Sequence, residues 1–146
     1  MASETRFLPL ARVSAADRRF LSLFSRAISR IPPEASPVST VETVAFEGAG
    51  EKEGLVGLTL WRYGDDAASP RQTVTFYGDL FGRLSDAAGI AVIAHELAHA
   101  WLNEHVGPEE SRGREREADL LAKRWGFGEE LAQLDREAEN IGGSAY

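Results

Sequence analysis

His95-Glu96-Leu97-Ala98-His99 is the stretch on which the reading of this chain turns. On an α-helix, residues four apart share a face, so both imidazoles can reach one metal ion. Glu96 stands about 100° around the helix from His95, where it can hold a water beside that metal as a general base. The chain has only 3 His against 23 acidic residues, so two of its histidines at this spacing are hard to reach by chance.

Without its neighbours the segment reads as a surface helix carrying two histidines and a carboxylate. The flanking residues argue against that. Ile90, Val92, Ile93, Ala94, Leu97, Ala98, Ala100 and Trp101 make the helix apolar on most of its faces, which predicts burial. Buried polar side chains need partners, and a metal serves both histidines at once.

Composition bounds the rest. The 146 residues predict a single domain spanning 1–146, large enough to close a core without staples. A hydrophobic fraction of 43% and a charged fraction of 27% are ordinary for a soluble globular protein. A net charge of −7 with dispersed Lys and Arg excludes nucleic acid and membrane surfaces as expected partners. With no cysteine, there are no disulfides, and a zinc ion has to be held by nitrogen and oxygen ligands. No apolar run approaches the ~20 residues of a membrane span. Arg12, Asp17, Arg18 and Arg19 interrupt any leader-like segment, so a cytoplasmic protein is expected.

Along the chain, Ser14 is positioned to cap a first helix that carries Phe20, Leu21, Phe24, Ala27, Ile28 and Ile31 at helical spacing. Pro32 and Pro33 end it. Three β-like runs follow, at about 38–46, 55–63 and 72–77. The second is apolar on both faces and is expected to be central, while the third alternates through Val74 and Phe76. Gly48, Gly50 and Gly54 mark the first turn, and Gly64, Asp65, Asp66 and Pro70 the second. Ser85 or Asp86 caps the motif helix, which should run to about His105 and stop at Gly107-Pro108. Two more helices are expected, at about 114–125, ending at Gly126, and at about 129–140; a frayed tail containing Gly142-Gly143-Ser144 follows. The class is α+β: an N-terminal helix, a small twisted three-stranded antiparallel sheet, the motif helix and C-terminal helices.

A catalytic zinc usually has three protein ligands and a water, so two histidines are not enough. His105, six residues after His99, stands where a metzincin carries its third histidine. Those enzymes turn sharply on a glycine three residues after the second histidine, and here that position is Leu102. His105 equally suits a helix C-terminus, interacting with the last carbonyls. The stronger candidate is Glu115, in Arg114-Glu115-Arg116-Glu117-Ala118-Asp119. Glu115 and Asp119 share a face beside the apolar stripe of Ala118, Leu121, Ala122 and Trp125, whereas Glu117 points elsewhere. Asp119 is placed to accept the remaining N–H of a liganding histidine and fix its tautomer. Alone, this run reads as a solvated helix start; coupled to the upstream histidines, it supplies a ligand.

The motif pair HELAH at 95–99 and Glu115-Arg116-Glu117-Ala118-Asp119 resembles the gluzincin class of zincin-like metallopeptidases. It is similar to small cytoplasmic forms in which an HExxH helix precedes an E-x-x-A-D helix, such as repressor-cleaving peptidases, and to CaaX-processing-type peptidases. The resemblance covers about residues 71–127. Unlike the CaaX type, this chain carries no membrane helices. The resemblance implies a fold with an N-terminal helix on a twisted sheet and the motif helix beneath it. It also implies that the edge strand before the motif helix, here residues 72–77, binds the substrate backbone as an added strand.

The expected activity is peptide-bond hydrolysis on a peptide or protein substrate, with Zn2+ held by His95, His99 and Glu115 and with Glu96 as general base. Tyr77 or His105 is the candidate oxyanion donor. The rival is a metal-bound regulatory or interaction module without catalysis, for which His105 would be a fourth ligand closing the site; the retained Glu96 favours the enzyme. A non-haem iron triad uses the same donors but is generally built on β-sandwich folds.

Overall fold

The computed structural model describes residues 6–47, 57–63, 70–107 and 111–140, with the side chains of 62–63, 111–113 and 140 left aside. The expected turns at 48–54 and 64–66, the stop at Pro108 and the tail at 142–144 lie outside the described residues. The chain forms a mixed α+β structure in which helices gather against a four-stranded sheet.

In chain order the elements are β1 (Arg12–Ser14), α1 (Arg18–Arg30), β2 (Val41–Glu47), β3 (Gly57–Tyr63), β4 (Pro70–Tyr77), a one-turn α2 (Gly78–Phe81), α3 (Asp86–His105), α4 (Ser111–Ala122) and α5 (Gly128–Asn140). A kinked segment, Lys123–Phe127, with non-helical backbone at Gly126, joins the last two.

The motif helix α3 lies at the centre. Every residue from Ala88 to Ala100 is buried, because β3, β4, α1, α4 and α5 all pack around it. Ser85 caps it, its Oγ accepting from the Ala88 N–H at 3.2 Å. The Ser85 N–H and hydroxyl donate in turn to Glu137 on α5, at 2.8 and 2.5 Å. Arg19 of α1 donates to the Leu84 carbonyl at 2.6 Å and to Asp86 at 3.1 Å, so two flanking helices anchor the start of α3. Although α3 is long, no helix among the described residues is long and apolar enough to cross a membrane.

The first helix is capped by Asp17, not Ser14: Asp17 Oδ1 accepts from the Phe20 N–H at 2.8 Å. Both residue types cap well, but Ser14 is taken up by β1, pairing with Ala45 of β2. Phe20, Leu23, Phe24, Ala27 and Ile28 are buried, and Phe20 touches the rings of Phe24, Phe46, Phe76 and Phe81. Gly126, with φ of 102°, breaks the chain between α4 and α5 where expected. Arg30 secures that break, donating to the Gly126 carbonyl at 2.7 Å and to Glu130 at 2.6 Å.

The sheet corrects three expectations. Among the described residues it has four strands, not three, in the order β1-β2-β4-β3. It is mixed, not antiparallel: β1 and β4 both run parallel to β2, and only β3 is antiparallel to β4. The second run is the edge strand and the third an inner strand, the reverse of the expected placement. Alternation shows which side chains face the core but not which strands become neighbours. Leu58 and Leu60 make β3 look central, yet Leu60 is 53% exposed on the outer face.

One inner residue locks the sheet to α3. The buried Gln72 of β4 donates to the Ala100 carbonyl at 2.9 Å and to Thr40 Oγ1 at 2.9 Å, and its own Oε1 accepts from Asn103 at 3.0 Å. Glu104 completes the network by accepting from the Thr40 N–H and hydroxyl at 2.8 and 2.7 Å. The register of β4 over α3 is therefore set by hydrogen bonds as well as by packing.

Candidate metal centre

His95 and His99 project from one face of α3, their rings 4.7 Å apart and nearly perpendicular. Both are buried, His95 completely. Burial follows from the apolar helix around them; their pairing follows from the four-residue spacing. The second helical run brings Glu115 across to them. Its Oε1 lies 2.6 Å from His99 Nε2 and its Oε2 lies 3.4 Å from His95 Nε2, so the carboxylate spans both imidazoles. Asp119, one turn further along α4, accepts from His95 Nδ1–H at 2.7 Å. That bond directs Nε2 of His95 towards Glu115.

The charges reinforce one another. Burial alone would push the His95 imidazole down. The hydrogen bond to Asp119 and the close Glu115 carboxylate, with the charge of Glu96, overcome it and raise the pKa to about 9. Burial likewise pushes Glu115 up, but the nearby His95 imidazole, the hydrogen bond to His99 and the charges of both lower it to about 2.

The residues fit a divalent metal ion. One donor atom from each of His95, His99 and Glu115 lies within 4.8 Å of the others. Two donors on one tetrahedral ion at about 2.0–2.1 Å stand roughly 3.3 Å apart. The His95–Glu115 separation of 3.4 Å has that spacing, and the His99–Glu115 contact of 2.6 Å needs only a small opening. Two imidazole nitrogens and a carboxylate oxygen form a donor set common to first-row divalent metals.

Glu96 leaves α3 on the side facing β3. It is 3% exposed, and Thr59 Oγ1 donates to its Oε1 at 2.6 Å. The same hydroxyl lies 3.2 Å from the Glu96 carbonyl. At Gly57, two residues earlier on β3, an added Cβ would stand 2.9 Å from Glu96 Cγ. Neither Thr59 nor Gly57 belongs to a motif. A glycine inside a strand run is the one available signal, since it marks close approach of another group to the backbone.

Other candidates fall elsewhere. His105 is exposed at the end of α3; its Nε2 donates to the Pro37 carbonyl at 2.9 Å and its ring lies 4.7 Å from that of Trp101. It does not join the cluster, because six residues carry it to a different helix face from His99. Tyr77 is buried at the end of β4, directly before α2. The ring of Phe76 faces the same side as Gly57 and Glu96. Glu117 is solvent-facing and accepts from Arg114 at 3.2 Å.

The chain matches no protein-family model, no curated protein and no solved structure.

Proposed function

We propose that this chain is a zincin-like metallopeptidase of the gluzincin type, hydrolysing a peptide bond in a peptide or protein substrate. His95, His99 and Glu115 would hold Zn2+, and Glu96 would act as general base. The observation that carries the reading is the joint placement of a triad able to hold a metal ion and a separately held carboxylate on adjoining sides of one buried helix.

A zinc ion bound there supplies Lewis-acid activation of water and polarisation of the scissile carbonyl. The chain's own residues do the rest. Glu96 accepts a proton from the attacking water and returns it to the leaving amine. Asp119 holds His95 in the tautomer that presents Nε2 to the site. A substrate strand would add to β3, the sheet edge that carries Thr59 and Gly57 beside Glu96, because β4 is covered on both sides. With His105 bonded to Pro37, no fourth histidine or carboxylate joins the triad among the described residues, which favours an open catalytic site over a closed structural one.

The test is cleavage of a mixed peptide library by the zinc-loaded protein, read by mass spectrometry, against Glu96→Gln. The variant should keep its zinc and lose about 10²–10⁴-fold in rate. Equal cleavage by both proteins, or none by the wild type, defeats the reading.

A further inference from the structure

We infer that Thr59 is the positioning residue for the Glu96 carboxylate, and that β3 serves as the arm that carries it. This rests on the peptidase reading for its kinetic consequence but not for its structural one.

A carboxylate that is almost wholly buried needs a donor. Among the described residues, the Thr59 hydroxyl is the one hydrogen-bond donor to it, at 2.6 Å, within the range of a charge-assisted O–H···O bond. The hydroxyl has a single proton, and the carboxylate is its nearer acceptor; the Glu96 carbonyl lies further off at 3.2 Å. The bond ties Oε1 and leaves Oε2 as the oxygen able to take a proton from water. The last torsion of a glutamate is broad and roughly two-fold, so an untied carboxylate would swing. Gly57 removes the remaining slack. Without a side chain it lets β3 close on Glu96 Cγ, where a Cβ would stand at 2.9 Å.

Thr59 is itself held from α3. It pairs with Val74 of β4, and β4 is tied to the Ala100 carbonyl through Gln72. The path leaves α3 one turn past Glu96 and returns to Glu96 through two strands. The register that pairs Thr59 with Val74 turns its hydroxyl to the α3 face, where it meets Oε1 of Glu96.

The experiment compares Thr59→Val, which keeps the shape and loses the hydroxyl, with Thr59→Ser, which keeps the hydroxyl. Thr59→Ala replaces the first if it does not fold. In metal-free protein carrying 13C at glutamate carboxyls, the Glu96 signal is assigned by its loss in Glu96→Gln. It should move or broaden in Thr59→Val and stay in place in Thr59→Ser. In zinc-loaded protein, Thr59→Val should lose on the order of 10-fold in kcat with KM little changed, and Thr59→Ser should recover most of it. Zinc affinity should be the same in all three. An unmoved Glu96 signal in Thr59→Val, or equal kcat losses in Val and Ser, overturns the assignment. A wild type that cleaves no peptide defeats the proposed function instead, and the carboxyl signal still decides the role of Thr59.

Discussion

The two walls of the candidate centre are built on different principles. On the helical wall, His95, His99, Glu115 and Asp119 are linked by ionic hydrogen bonds, each histidine within reach of a carboxylate. On the sheet wall, Glu96 meets one neutral hydroxyl and one missing side chain. Charge organises the first and shape the second. A charged cluster tolerates small displacements, because Coulomb attraction falls off slowly with distance. A fit based on close backbone approach fails with a single methyl group.

The helical wall should fail most visibly when a proposed ligand is removed. Glu115→Ala should abolish measurable zinc binding in calorimetric titration, while Asp119→Ala should weaken it about 10–100-fold and His105→Ala should leave it unchanged. A His105→Ala protein that lost its zinc would move the centre away from the helical wall altogether.

The sheet wall should answer to volume instead. Gly57→Ala places a methyl 2.9 Å from Glu96 Cγ and 3.3 Å from Phe76 Cδ1, so β3 has to lift. We expect a loss of about 1–3 kcal/mol in urea unfolding, with zinc affinity retained. An alanine variant as stable as the wild type would remove shape as the organising principle.

A smaller, pH-dependent effect belongs to the helical wall in metal-free protein. The pKa of His95 is raised from 6.5 to about 9, so its stabilising contribution is complete below 6.5 and is lost as pH climbs through 9. That of Glu115 is lowered from 4.5 to about 2, so its share is complete above 4.5 and is lost as pH falls through 2. Their joint contribution is greatest between 4.5 and 6.5. Thermal unfolding in chelator should show the wild type losing its advantage over His95→Ala on the alkaline side; parallel curves from 6.5 to 9 would contradict the pairing.

Much of the helical wall was legible in the sequence. HELAH and the apolar residues around it predicted a buried helix with two imidazoles on one face, and α3 has both properties. The spacing of Glu115 and Asp119 predicted a shared face, and both reach His95. The sheet was less legible. Val74 and Phe76 were expected to alternate, and both are buried, yet their strand is an inner one and Leu60 lies on an exposed edge. The cap at Asp17 went unread because Ser14 was an equally good candidate until β1 claimed it.

What the sequence by itself determined is whatever lies within one stiff element. Four residues along a helix is a fixed distance, so His95 with His99, and Glu115 with Asp119, are set by backbone geometry. Tertiary structure alone decided which strand lies against α3 and which hydroxyl meets Glu96. Thr59 and Glu96 are 37 residues apart, and nothing local couples them. Their meeting depends on Gln72 seating β4 on α3 and on β3 pairing outside it. Contacts between elements are selected by how whole faces pack, and no short pattern of residues encodes that choice.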